Sequence, residues 1–460
     1  MRNNYNLRKQ FIFYFILFSI KSQILFSQTV QNNSFYYKSK KILFDSGLNW
    51  DSLSTFGSFS YNKFNFQYLN NDSLKIDVRF GIQGENEISP YSLGYVTYGN
   101  KFYAFFYYPK FIYSLDLFSY LGDSNYTKNQ ESNNDGNNFS GIGYKSSWLI
   151  FQFGKGRESW GAGNDIQLAL SENSSAYDYF MLASDYGNLR VNYIHGFLES
   201  IDGTNRYITA RGIEWTNKKS FIFGFSESVV YSGDNRSLDI GYMNPISSHL
   251  EIELNNRLNI IGNENSNAVW QVHLDWLIKE NFRLSSNFLI DEFVFDPDIE
   301  IGKEHGKAYS IKLAYTPILS IDGIFTTYLS LLFIGTPTFR HVNGYNNFVQ
   351  KGKPIGSENG SDSRELIFGV NYYYKNFMSF LSVGYFENGS ESIVMRPFDP
   401  FKDYQASSFP SGERYEAFYL NIDFMWWLKN NLSFITGINI HEKVDYYIGI
   451  NKYWELIKIY

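Results

Sequence analysis

The chain has no cysteine, 10 prolines in 460 residues, and six histidines. Without thiols there is neither a disulfide framework nor a thiolate metal site, a composition that suits export without demanding it. The histidines fall in no HExxH or other ligand spacing, and neither a GxSxG elbow nor a phosphate loop occurs, so no metal or cofactor is expected. A formal net charge of -6 leaves no basic footprint for nucleic acid, and no lysine-rich block is present to grip a membrane surface. Long apolar runs are also missing beyond the first 28 residues: each apolar stretch is broken within a few residues by Asn, Ser, Lys or Asp. If the mature chain enters a membrane, it must do so as a closed barrel, because only helices and closed barrels satisfy their own backbone there.

What the chain has in abundance is aromatic residues: 43 Phe and 38 Tyr, with Trp making 20% of the whole. Apolar residues reach 44%, yet mean hydropathy is -0.31, so the apolar content is diluted by polar neighbours. The dilution is periodic. AVWQVHLDWL (268–277) sends Ala268, Trp270, Val272, Leu274 and Trp276 to one face of an extended strand and Gln271, His273 and Asp275 to the other. LKIDVRFGIQ (74–83) separates Ile76, Val78 and Phe80 from Asp77, Arg79 and Gln83. NLRVNY (188–193) separates Leu189, Val191 and Tyr193 from Arg190 and Asn192, FRLSSNFLID (282–291) separates Phe282, Leu284 and Phe288 from Arg283, Ser285 and Asp291, and VDYYIGIN (444–451) repeats the pattern. Segments of about ten residues with this alternation are what a lipid-embedded barrel requires, one face in hydrocarbon and one toward a polar lumen.

The first residues, MRNNYNLRKQFIFYFILFSIKSQILFSQ, place Arg2, Arg8 and Lys9 before an apolar run from Phe11 to Ile20. Such a run is too short to span a bilayer and reads as a cleaved signal over 1–28, with the cut near Ser27 or Gln28. Residues 29–72 are expected as an N-terminal periplasmic or barrel-entry segment, and 73–460 as an all-β, transmembrane antiparallel β-barrel of about 18 strands in the outer membrane of a Gram-negative bacterium. Short turns around LIKENF (277–282), YYKNF (373–377) and WLKNNL (427–432) alternate with long polar loops at 154–177, 233–267, 334–363 and 388–412. Counted back from the C-terminus, this parity fails before residue 187, where SNYTKNQESNNDGNN (124–138) falls on the periplasmic side.

Two groups of residues invite a chemical reading. Asp291, Glu292, Asp296 and Asp298 lack the spacing of a calcium loop and read as a solvated acidic loop. His273 and Asp275 share a strand face, as two members of a catalytic triad would, but no serine nucleophile is evident, and Asp275 can instead face Arg283 across the hairpin. No enzymatic activity is expected. Gln271, His273, Asp275, Arg283 and Asp291 are assigned to the polar lumen wall.

Two stretches do not fit plain strands or loops: GKGRESWGAGNDIQLALSENS (154–174) and FIGTPTFRHVNGYNNFVQKGKPIGSENGSDS (333–363). Gly156, Arg157, Trp160, Gly161 and Gly163, followed by Leu168, Ser171 and Asn173, make a pattern that resembles the signature of Wzi-type capsule assembly proteins. FGFSESVVYSG (223–233), YMNP (242–245), DEF (291–293), Arg340 with His341, and GKPIGSENGSDS (352–363) match later features of that family in order. The chain departs from it at Ala162, where members usually have Pro, and at Asp291–Glu292, where they have an Asp-Asp pair.

The resemblance implies a barrel whose lumen is plugged by inserted loops or short helices, and which binds surface polysaccharide and assists capsule assembly or attachment. Its implied partners are that polysaccharide, outer-membrane lipid and the barrel assembly machinery. Arg157, Glu158, Trp160, Asn173, Arg340 and His341 become candidates for glycan contact or for tying an inward-folded loop to the wall. Two other classes remain open at this stage: a porin or small-molecule transporter, which requires an open lumen, and a lipase- or acyltransferase-like enzyme, which requires a nucleophile with a base.

Overall fold

The computed structural model describes residues 54–58, 74–85, 88–99, 101–108, 138–256, 266–292, 304–319, 323–341, 343–391, 393, 408–429, 431–441 and 443–459. The expected signal over 1–28, residues 29–53, Asp296, Asp298 and most of the Asn-rich stretch lie outside the described residues. The first strands are β1 (Phe56–Ser58), β2 (Leu74–Glu85), β3 (Ser89–Tyr98), β4 (Phe102–Tyr108), β5 (Phe139–Lys145), β6 (Leu149–Gly156) and β7 (Glu158–Trp160). Then come β8 (Tyr177–Asp185), β9 (Leu189–Ile201), β10 (Thr204–Thr216), β11 (Phe221–Asp234), the helices α1 (Ile240–Met243) and α2 (His249–Asn256), and β12 (Ser266–Lys279). The chain continues through β13 (Phe282–Glu292), β14 (Gly306–Leu319), β15 (Gly323–Ile334), β16 (Val349–Gln350) and β17 (Lys353–Pro354). It ends with β18 (Ser363–Tyr374), β19 (Phe377–Asn388), β20 (Tyr415–Lys429), β21 (Leu432–Ile440) and β22 (Val444–Ile459).

Eighteen of these strands form a closed antiparallel barrel, the class and size expected from the alternation. Each barrel strand pairs with its sequence neighbours, and the ring closes where β2 pairs with β22, Gln83 opposite Asn451. Closure leaves no strand edge unpaired, which a hydrocarbon environment demands. β1 with β7, and β16 with β17, form two small separate sheets. Short turns at 186–188, 217–220, 280–281 and 375–376 gather at the end of the barrel where β2 begins and β22 finishes. The connections at 157–176, 235–265, 335–362 and 389–414 belong to the opposite end. The parity that failed in the sequence is restored because β5 and β6 are separate short strands, so β4 ends and β5 begins at the long-loop end.

The alternation sorts side chains as the pattern requires. On β12, Gln271, His273 and Asp275 are buried on the lumen face while Val272 and Trp276 are exposed outward. Phe223, Phe225, Leu329, Leu331, Val383 and Phe424 continue that outward apolar surface on other strands. One sector departs from it. Tyr193, expected on the lipid face, is 2% exposed, and Glu227 on the outward face of β11 is 3% exposed. Both are covered because the segment carrying α1 and α2 folds down the outside of β9–β12. Tyr242 stacks on Tyr231 with ring centroids 4.4 Å apart, the Tyr193 hydroxyl donates to the Tyr242 carbonyl at 2.9 Å, and Ile252 joins the same apolar cluster. Glu227 accepts from the His249 backbone N–H at 3.1 Å and from Trp270 Nε1 at 2.9 Å, and pairs with Arg211 at 3.3 Å. A carboxylate that would otherwise face lipid is thus neutralised and saturated with donors.

A matched pair on β19 tests the facing. Val383 is exposed at mid-strand and its neighbour Ser382 lines a cavity inside the barrel. Val383→Arg should cost about 2 to 4 kcal/mol of assembled barrel, because a cation is placed in the hydrocarbon, whereas Ser382→Arg should cost much less. The folded fraction in a heat-shift gel reads the difference, and equal losses would refute the assignment of faces.

Candidate functional site

The lumen is not left to water. The connection 157–176 turns inward from β6, and its short strand β7 pairs with β1, Phe56 opposite Trp160 and Ser58 opposite Glu158. The described part of the segment expected to lead into the barrel therefore lies inside it. Trp160 is 1% exposed and packs on Phe56 at 4.9 Å between centroids. Its indole N–H donates to Glu158 at 3.1 Å, and the same carboxylate accepts from the Tyr179 hydroxyl at 2.8 Å. Arg157 is buried, donates to the Ser174 carbonyl at 2.5 Å, and lies over the Phe139 ring at 5.3 Å.

The glycine pattern acquires a physical reason here. Gly161 adopts φ +131°, and a Cβ at that position would stand 2.7 Å from the Asn287 side-chain oxygen. The backbone must come this close because Asn287 on β13 clamps the turn: its Oδ1 accepts from Ala162 N–H at 2.7 Å, and its Nδ2 donates to the carbonyls of Ala162 at 3.0 Å and Ile166 at 3.1 Å. The Ala162 N–H makes a bond for which a proline at this position would have no donor. On the other wall Thr55 binds Glu214 through its backbone N–H, at 2.9 Å, and through its hydroxyl, which also lies 2.8 Å from His273 Nε2.

The loop 335–362 caps this inward turn. Ser357 N–H donates to the Leu168 carbonyl at 2.9 Å and Ser171 N–H to that of Ile355 at 3.0 Å, while Leu168, Leu170, Phe339, Phe348 and Ile355 bury against one another. Arg340 pairs with Glu391 of the next long loop at 3.0 Å, and His341 N–H donates to Asn347 at 2.8 Å. Asp291 accepts from the backbone N–H of Phe339. Arg283 donates from Nε to Asp275 at 2.7 Å, and His273 Nδ1 has no hydrogen-bond partner, so Asp275 does not orient His273 as in a triad. The wall at Gln271, 1% exposed and directed at the Trp160 carbonyl, is packed against the plug. Among the described residues no group of His, Asp or Glu is placed to hold a metal.

Of the candidates, Asn173 is exposed and faces a free space. That space is a cavity of about 660 Å³ between the plug and the walls β14, β15, β18, β19 and β20, with His441 at its rim. It reaches the long-loop end at Asn173, Glu358 and His441, and its sides carry Tyr328, Tyr415 and Tyr419. The Tyr419 ring occupies the place a side chain would take on Gly384, 2.2 Å from a Cβ built there, and its hydroxyl donates to Glu365 at 2.5 Å. Toward the short-turn end the same strand faces carry Ile324, Tyr373, Met378, Phe380, Met425 and Ile435, an apolar cluster beneath the cavity. The tyrosines and Glu365 were missed in the sequence; the only signal for them was glycine on a neighbouring strand, Gly369 opposite Tyr328 and Gly384 opposite Tyr419.

No known family model matches the sequence. The fold is similar to that of Wzi, an outer membrane protein involved in group 1 capsule assembly in Escherichia coli and described as a carbohydrate-binding β-barrel. The TM-score is 0.60 at 10% identity, over 93% of this chain and 98% of that one. OprD of Pseudomonas aeruginosa gives a TM-score of 0.44 at 10% identity, over 85% of this chain and 96% of that one. OccK3 of the same organism gives 0.43 at 9%, over 84% and 96%. At such identities the likeness speaks for the fold alone. A stretch of 75 residues is 35% identical to the pre-glycoprotein polyprotein GP complex of Tacaribe virus (strain Franze-Fernandez), and the chain spans 15% of that protein's length.

Removing the indole at the centre of the plug tests what holds the lumen shut. Trp160→Ala should cost about 3 to 5 kcal/mol of local packing, the usual loss for a fully buried Trp. Because the barrel wall retains its own ladder of hydrogen bonds, the variant should still run as a folded barrel while its single-channel conductance in planar bilayers rises. Unchanged conductance in a folded Trp160→Ala protein would show that β7 is not what blocks the lumen.

Proposed function

We propose that the protein is an outer-membrane barrel that binds a surface polysaccharide and helps to assemble or hold it at the cell. The observation that carries this reading is the plugged lumen with a polar, tyrosine-bearing cavity opening at the long-loop end. Sugars present apolar faces and rims of hydroxyls, and a cavity of tyrosine rings with Asn, Ser and carboxylate groups suits both. The likeness to Wzi in fold supports it, as does the resemblance of the Gly-Arg-x-x-Trp-Gly-x-Gly pattern. Short turns of such barrels lie on the periplasmic side and long loops outside, so the cavity faces the surface where the polysaccharide is. Export by a signal over 1–28 and insertion by the barrel assembly machinery belong to the same reading. No catalytic role is included.

Within it the sequence candidates divide. Asn173 is a direct glycan contact. Arg157, Glu158, Trp160, Arg340 and His341 position the plug and loops that shape the cavity, and Gln271, His273, Asp275, Arg283 and Asp291 hold that assembly to the wall. A porin is the competing reading, and it needs an aqueous path where Ile324, Met378, Phe380 and Met425 bury one another instead.

Cells carrying wild-type protein should retain more surface polysaccharide than cells lacking it, and Arg157→Ala should shed part of it without losing the folded barrel. Bound against released polysaccharide, measured beside single-channel recording, decides the matter: equal retention with and without the protein, together with a large stable conductance, would replace this reading by the pore.

A further inference from the structure

The charge of the cavity goes beyond the reading above and rests on it. Among the described residues four carboxylates line the space, those of Asp165, Glu172, Glu358 and Glu365, against the single ammonium of Lys312. Lys312 is itself engaged, 3.5 Å from the Asn164 carbonyl and 4.2 Å from the centre of the Tyr328 ring. Among the described residues no arginine lines the cavity, so the bidentate donor that usually holds a carboxylate, sulfate or phosphate is missing from the described wall.

Two neutral groups on the wall still want partners. Asn164 is 2% exposed, lines the cavity, and its Nδ2 has no hydrogen-bond partner; Asn421 Oδ1, across the same space, has none either. A buried donor and a buried acceptor left in this state cost free energy unless a ligand or water completes them.

We propose that the cavity is the glycan subsite, and that it selects saccharide units carrying no acidic group, with a free amine preferred over a neutral ring. The carboxylates accept from sugar hydroxyls and attract an ammonium, while a uronate, sulfate or phosphate meets like charge in a partly enclosed space where screening by salt is weak. Its 660 Å³ falls within the range of roughly 300 to 1,000 Å³ typical of small-ligand sites, so it takes a short piece of a chain rather than its length.

The test uses purified full-length protein titrated with three oligosaccharides of similar length: a glucosamine oligomer, a neutral glucan oligomer and a galacturonate oligomer. The amine-bearing oligomer should bind best, the neutral one next, and the galacturonate at least tenfold more weakly. Glu358→Gln removes a charge from an exposed position and should shrink the discrimination against galacturonate several-fold. Ser382→Trp, which fills the cavity, should abolish binding of all three. Galacturonate binding as tightly as the others, or wild-type selectivity surviving in folded Ser382→Trp, would overturn the proposal while leaving a polysaccharide-binding barrel intact. Failure of every oligosaccharide, acidic or not, would overturn this inference and the polysaccharide reading together.

Discussion

A lipid-embedded strand has no water to satisfy its backbone, so a sheet in a membrane must close on itself, and here the closure takes eighteen strands. A ring of that size is wider than its own inward side chains can fill, since about eight strands is the size at which they meet across the middle. Everything distinctive in the molecule answers the question of what occupies the remaining space. The chain answers it three ways. Aromatic residues of β3 and β4, with Phe139 and Tyr453, fill one sector; the turn 157–176 with Phe56 fills the centre; and the cavity bounded by β14, β15, β18, β19 and β20 is left over. The cavity is thus a consequence of how far the plug reaches, and the plug reaches only as far as Asn287, Asp275 and Glu214 hold it.

That dependence explains why so few polar side chains carry so much. Asn287 satisfies three backbone groups of a turn that has no secondary structure of its own beyond three residues of β7. A buried carbonyl or N–H without a partner is costly, so a loop can enter a barrel only if the wall supplies the bonds its own strands do not. The glycines at 161 and 163 permit the approach, and Asn287 gives the turn something to bond. Glu158 repeats the device within the plug, accepting from Trp160 and Tyr179 at once.

Strand number, facing and the alternation of short and long connections were legible in the sequence because one period-2 signal encodes all three: Gln271, His273 and Asp275 against Val272 and Trp276 is a statement about two solvents. The inward turn was legible as an anomaly, too rich in glycine and charge for a strand, and the resemblance gave it a meaning. The roles of its residues were not. Arg157 and Trp160 look alike as glycan contacts or as plug anchors until their burial is known, and Asn287 reads as one more polar lumen residue. The cavity was illegible for a simpler reason: Tyr328, Tyr419 and Glu365 come from three strands, and nothing local marks side chains that meet only through the curvature of the barrel.

The outer wall of β9–β12 shows the same rule from the lipid side. Glu227 and Tyr193 break the apolar pattern where hydrocarbon would penalise them, and the chain covers both with α1 and α2 rather than substituting leucine. Two of the segments singled out as family-like, 223–233 and 242–245, are the two halves of this contact, Tyr231 against Tyr242. Their polar residues are retained because each one is a fastening point: the carboxylate at 227 holds the first residue of α2 through its backbone and Arg211 from the neighbouring strand. The face of the segment that points away from the barrel carries Ile240, Ile246 and Leu250, all exposed, so the apolar outer surface is re-created one layer further out. A wall that must be greasy outside and polar inside can therefore bury a polar fastening within itself, provided a second layer restores the surface that the bilayer meets.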